Sequence, residues 1–314
     1  MYGQARIAER SEVRLAGTRR IDQLQNNDRS RTLFRAIAVA HRYTQRTQAI
    51  SLFISLVVAG VGVVAKVAQP PLQPAASIIG AFWAAVYAVV LAPQLGRHLR
   101  TSATLQEMLD TDLFGLPWNA VLVGDRLSED ELSHLSRRFR GDETSLRDYY
   151  LVAAVAAPYD VLFCLEQNLA WGSRVRRRFA TVLLSLIAVW CVAGTAVGLV
   201  TESTVGSLVS VWFVPSLGLL LWCLDISRAQ ILSTRDRTRV LGMVRGVMEE
   251  SSSTAIADDQ AFTVFARQVQ DALFVARRQQ PRTPEWFFRL FHDDDLVDFR
   301  YKMQVLEQRV GLNS

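Results

Sequence analysis

The chain has 314 residues, half of them hydrophobic, a formal net charge of +5 and a mean hydropathy of +0.15. That balance excludes a disordered polar chain, and Cys164, Cys191 and Cys223 are too few and too scattered for a disulfide framework. Lys66 and Lys302 are the only lysines, so arginine carries nearly all of the basic charge.

Residues 1–20 are polar and arginine-rich and read as frayed or loosely helical, without the apolar core of a signal peptide. The first span is therefore expected to serve as its own insertion signal. From Ile21 onward Leu24, Leu33, Phe34, Ile37, Ala40 and Tyr43 recur at mostly helical spacing, with Arg31, Arg35, Arg42 and Arg46 on the other face. This predicts an amphipathic helix running into the membrane, packed on a soluble domain or on the lipid surface, with a part in gating as the sharper alternative.

Four apolar stretches follow in two tight pairs, residues 50–67 with 75–94 and 179–200 with 204–224. Each is about 20 residues long, the length a helix needs to cross a hydrocarbon core. Lys66 is the only charge within them, at a span end where its stem reaches the headgroups. The lipid bilayer is thus the first partner, and the chain divides into a cytosolic amphipathic segment (1–49), a hairpin (50–95), a central region (96–178), a second hairpin (179–224) and a helical tail (225–314). The fold class is an all-α membrane protein of four transmembrane helices with a mainly helical cytosolic domain. Arginines crowd the N-terminal segment, the central region and the tail, whereas residues 69–74 carry no charge and residues 201–203 a single acid. Positive-inside bias then places both termini and the central region in the cytoplasm. The pI near 9.4 follows from that orientation, so no nucleic-acid polymer is expected as a partner.

Within the spans the signals concern packing. Gly194 and Gly198 form a GxxxG pair, and Gly80 with Ala84 a second small pair, which lets helices approach within one subunit or between copies of a homo-oligomer. Pro215 should free a backbone carbonyl and kink the fourth span, as a static bend or as a hinge. The run 174–178 of four arginines and Val175 is explained by topology and lipid headgroups. In the tail, Val240, Met243, Val244, Val247 and Met248 form one stripe and Phe262, Phe265, Val269, Leu273 and Ala276 another, separated by three serines at 251–253. A last helix is expected over about 296–310. The aromatic run Trp286, Phe287, Phe288 and Phe291 reads as core, and the apolar stretch 151–157 as buried in the soluble domain. His292 with the acids 293–295 reads as a helix cap rather than a cation site.

No nucleophile elbow, phosphate loop, dinucleotide fingerprint or zinc-ligand pair occurs, and His41, His98, His134 and His292 stand apart in sequence. The expectation is a protein that is not an enzyme and carries no cofactor or metal.

The soluble segments carry a resemblance. The stretch 109–119, with Asp110, Thr111, Pro117, Trp118 and Asn119, resembles the "FDT…LPWN" block of the SMODS-associated four-transmembrane effector family. Tyr149 and Tyr150, Cys164, Gln167, Asn168, Trp171 and Arg178 are similar to its next block. Gln270, Asp271, Arg277, Pro281, Pro284 and Trp286 are similar to its closing one. The resemblance implies a bacterial effector of cyclic-oligonucleotide (CBASS) anti-phage defence in the inner membrane. A cyclic oligonucleotide would trigger it at the cytosolic domain, and it would compromise the membrane and cause abortive infection. The alternative is a membrane-anchored sensor or scaffold that recruits a partner without opening a path. On the residues alone, Pro117, Trp118 and Asn119 fit a turn laid against the membrane-proximal surface, with the tryptophan at the interface.

Overall fold

The computed structural model describes residues 21–67, 70–150, 157–249 and 258–291, with 301 and 305. The expectations for residues 1–20, 151–156, 251–253, 292–295 and 296–310 fall, wholly or nearly so, outside these.

The amphipathic segment and the first span are one helix, α2 (Asp28–Val67), preceded by a single turn, α1 (Ile21–Leu24). After a tight turn, α3 (Gln73–Val86) runs through the π-turn Tyr87–Leu91 into α4 (Ala92–Phe114). Short helices α5 (Ala120–Val123) and α6 (Glu129–Ser136) lead to α7 (Tyr159–Ala170) and α8 (Ser173–Val200), which carries the third span. The turn α9 (Val205–Leu208) and the π-turn Val209–Phe213 open the fourth crossing, which continues as α10 (Val214–Glu249), and α11 (Asp259–Gln279) folds back on the body. No strand occurs among the described residues. Four helices are long and apolar enough to cross a membrane, so this is an all-α, multi-pass membrane protein.

Both π-turns end two residues before a proline, Pro93 and Pro215. A proline lacks its N–H and its ring strikes the carbonyl four residues back. Widening the preceding turn moves that carbonyl aside, and the helix continues. Nearby, the Ser210 carbonyl accepts a hydrogen bond from Ser77 Oγ at 2.5 Å.

In the bundle, shape does the packing. A Cβ on Gly80 would fall 2.3 Å from Pro215 Cα, and one on Gly62 2.5 Å from Pro215 Cβ, so α2, α3 and α10 meet almost backbone to backbone. Gly194 makes room for the Trp212 ring, Gly198 faces Leu208, and Ala84 is buried. The glycine face of the third span therefore meets the fourth crossing of the same chain. Trp83 donates to Ser55 Oγ and Trp190 to Ser216 Oγ. In its most apolar stretch the fourth crossing is 39% buried and the third only 17%, which makes the fourth the centre of the bundle and the third its flank.

The first, second and fourth crossings extend as helix, the second through its π-turn, into one extramembrane body, and the third joins it through the turn at Trp171 and Gly172. Its core joins Leu33 and Phe34 of α2, Leu105 and Met108 of α4, Leu162 and Phe163 of α7, Val244 of α10 and Leu273 of α11. On α10 the stripe is narrower than the periodicity suggests, because Val240, Val244 and Met248 are buried while Met243 is exposed.

Candidate functional site

Helix α4 carries Glu107, Asp110 and Thr111 into the body, with Asp110 about 24 Å along the helix from the end of the second span at 1.5 Å per residue. Both carboxylates are buried. Burying an acid is costly unless it is paired and hydrogen-bonded, and α11 supplies the partners. Asp110 Oδ2 accepts from Arg277 Nη1 at 2.6 Å and Gln270 Nε2 at 2.9 Å, and Glu107 accepts from Arg267 Nη2 at 2.5 Å and from the same Gln270 Nε2 at 2.9 Å. Burial holds Glu107 above the usual carboxylate range, with Arg267 opposing the shift. For Arg277 burial is outweighed by Asp110 and Tyr150, and its net shift is upward.

The third side comes from the segment before α7 and from α7 itself. Tyr150 hydroxyl donates to Asp110 Oδ1 at 2.5 Å, and Asn168 Nδ2 donates to Tyr150 Oη at 2.8 Å and to Asp110 Oδ2 at 3.4 Å. Burial, then the Asp110 charge, raises the Tyr150 phenol, so it stays protonated and donates. Gln25 bonds the Tyr150 backbone through N–H and carbonyl, which ties α1 to the same point. Gln167 Nε2 donates to the Tyr149 carbonyl. Cys164 lies in the apolar core, where burial pushes its thiol up.

The turn after α4 completes the junction. Gly115 takes a positive φ of 65° as the helix cap, and Thr111 Oγ1 bonds back to the Glu107 carbonyl. Asn119 caps α5 with its oxygen and donates its Nδ2 to both oxygens of Asp271, while Arg267 Nη1 donates to the Pro117 carbonyl at 3.0 Å. Trp118 donates to the Gly124 carbonyl beneath the Arg126 guanidinium. Trp118 is therefore not at the membrane interface. It follows α4 to the far end of the body, because the second span's helix runs on through Gly96 rather than ending there.

Asp110, Thr111, Pro117, Asn119, Tyr149 and Asn168 thus gather with α11 around two buried acids. Trp171, Arg178, Pro281, Pro284 and Trp286 sit nearer the membrane. Arg178 lies over the Phe291 ring, Trp171 and Phe288 rings are 6.3 Å apart, Pro284 begins the helical turn 285–291, and Trp286 is exposed rather than core. The Pro281 carbonyl accepts Gln230 Nε2 at 2.6 Å. Sequence reading missed Glu107 and Arg267, a buried acid and its cation 160 residues apart. It also missed Arg237 and Arg282, and it assigned Arg176 to the headgroups although that residue turns inward to the Trp171 carbonyl. The legible signal was an arginine on an apolar stripe: Arg176 lies four and seven residues before the buried Ala180 and Leu183, and Arg237 three and seven before Val240 and Val244.

Residues 19–306 match the family described as SMODS-associating 4TM effector domain. A probable CBASS effector molecule of Bacillus cereus (strain VD146) is 25% identical over 221 residues, covering 70% of this chain and 73% of the relative. No solved structure matches.

Proposed function

The chain belongs to the SMODS-associating 4TM effector family, and from that premise we propose that it is a membrane-disrupting effector of bacterial cyclic-oligonucleotide (CBASS) defence. It resides in the inner membrane with its body in the cytoplasm, responds to a cyclic oligonucleotide there and causes abortive infection, without enzymatic activity of its own. A CBASS effector role is what the family and the Bacillus relative support.

One observation carries the trigger. The buried junction is built on α4, α7 and α11, its Asn168 carbonyl accepts from Arg237 of α10, and α4 and α10 are themselves the inner ends of membrane-crossing helices. A change in the junction therefore moves the spans as rigid levers. The scaffold reading draws on a different observation. The rings of Trp83, Trp190, Trp212 and Trp222 with Pro215 fill the space between the spans of one chain, so a path for ions requires rearrangement or several copies.

Purified protein in liposomes should release a trapped dye when a cyclic oligonucleotide is added and hold it otherwise. Binding without release would transfer the assignment to the scaffold. For orientation, Gln73→Cys should label from outside intact cells and Ser128→Cys should not, and the reverse pattern would invert the topology.

A further inference from the structure

Four arginines from separate segments converge beside the junction: Arg176 at the start of α8, Arg237 in α10, Arg277 near the end of α11 and Arg282 in the link to 285–291. They are close enough to act on one another. Burial, then Arg282 and Arg277, lowers Arg176 to about 10, and burial, then Arg176 and Arg277, lowers Arg237. His41 of α2 faces the same group, and burial with Arg282 and Arg277 keeps it neutral, bonded to Ser102 and Gln106.

Counter-charge is short. Asp110 pairs with Arg277 but is shared with Tyr150, Gln270 and Asn168. Arg176 and Arg237 reach only carbonyls, those of Trp171 and Asn168, at 3.0 and 3.1 Å. Arg237 is 5% exposed, and its Nε is buried with no hydrogen-bond partner. Among the described residues Arg282 makes no hydrogen bond or ion pair, and Glu285, which lies near it, is held by Arg289 at 2.5 Å. Arg282 is exposed, so its guanidinium is accessible to an anion from solution. Clustered, desolvated cations are unfavourable until an anion joins them, and guanidinium forks match phosphate oxygens.

We propose that Arg176, Arg237, Arg277 and Arg282 form a receptor for the phosphates of a small nucleotide, with Tyr149 as the stacking face for a base. The assignment rests on the triggering reading above. Tyr149 is half exposed, braced by Phe34 and Tyr150 at 5.1 and 5.0 Å, and lies within electrostatic range of all four arginines. A lipid headgroup is the other source of phosphate, and distance disfavours it. Arg237 is 13 residues past the fourth span and His41 nine before the first, about 20 and 13 Å along their helices, whereas the headgroup layer is about 5–8 Å deep. Arg176 starts nearer, but a helical side chain leans toward the N-terminus, here away from the bilayer. A bound phosphate competes with Asp110 for Arg277, which couples the arginine cluster to the junction.

The test uses full-length protein in nanodiscs, melted with inorganic pyrophosphate, with a panel of cyclic di- and trinucleotides, or with short-chain phosphatidylglycerol. A cyclic nucleotide should raise the melting temperature with concentration, less so as salt is added. Arg282→Gln removes an unpaired cation, so it should raise the melting temperature of the ligand-free protein and weaken binding about tenfold or more. A structural role alone would lower the first and leave the second. Stabilisation by the lipid or by pyrophosphate alone, or unchanged binding in Arg282→Gln, overturns the receptor. Nucleotide-triggered leakage that survives Arg282→Gln sinks the receptor and leaves the effector reading intact. Arginine-dependent binding without leakage keeps the receptor and removes membrane disruption.

Discussion

The membrane bundle and the extramembrane body share three continuous helical paths, yet they solve packing by opposite means. In the bundle, glycines admit proline and tryptophan rings, and the only side-chain charge is Lys66, at a span end, where it donates to Ser203. In the body, two fully buried carboxylates are satisfied by side chains up to 167 residues away. Close packing in lipid is decided by shape, because the lipid is as apolar as the side chains. Inside the body the cost of an unpaired charge decides it, so a polar network fixes one arrangement and can also release it.

The contrast predicts a ranking of damage. Asp110→Ala should be the most severe change, since it leaves Arg277 buried without its carboxylate. A loss of about 3–5 kcal/mol is expected, read as a large fall in melting temperature. A loss within experimental error would show that this ion pair does not hold the body. Next comes Gly80→Ala in the bundle, where the new Cβ strikes the Pro215 backbone and cannot be relieved by a rotamer. It should cost about 1–3 kcal/mol, whereas Gly60→Ala, with nothing within 4 Å, should stay within about 0.5. Equal effects at the two glycines would break the shape argument.

The smallest effect is a pH dependence confined to the body. The folded pKa of His41 is depressed below 6.5, so the unfolded chain takes up a proton there that the folded chain refuses. Its contribution is fully present above about pH 6.5 and is lost as pH falls toward the folded value, at up to about 1.4 kcal/mol per pH unit. His98 acts with the same sign, and Glu107, whose folded pKa is raised, acts with the opposite one. Comparing melting curves of the wild type and His41→Gln between pH 5 and 8 isolates the His41 share. Parallel curves would show that His41 does not titrate in this way.

The four spans, their pairing and the amphipathic approach to the first were legible, because each is a local run whose hydropathy or periodicity needs no distant partner. Gly194 and Gly80 stood out as small residues, but only the fold assigns Trp212 and Pro215 as what they receive. The junction was legible as motif residues and not as a site. Asp110 and Arg277 are ordinary surface types in a linear reading, and their pairing depends on α11 folding back beside α4. Arg176 was hidden by its own neighbours, since Arg174, Arg177 and Arg178 do face outward and made the whole run look like a headgroup anchor.

The two π-turns bear on how rotation passes along these helices. Each inserts the equivalent of one residue into the α spiral, and one residue is about 100° of azimuth. The side of α3 that shows Gly80 to Pro215 and the side of α4 that shows Asp110 to α11 are therefore set in different helical phases, joined at 87–91. Likewise Leu208, which faces Gly198, and Trp222 stand in phases separated at 209–213. An insertion of this kind rotates the residues beyond it by that angle relative to an uninterrupted α-helix. Two of the four crossings thus carry an azimuthal offset between the residues on either side of the π-turn.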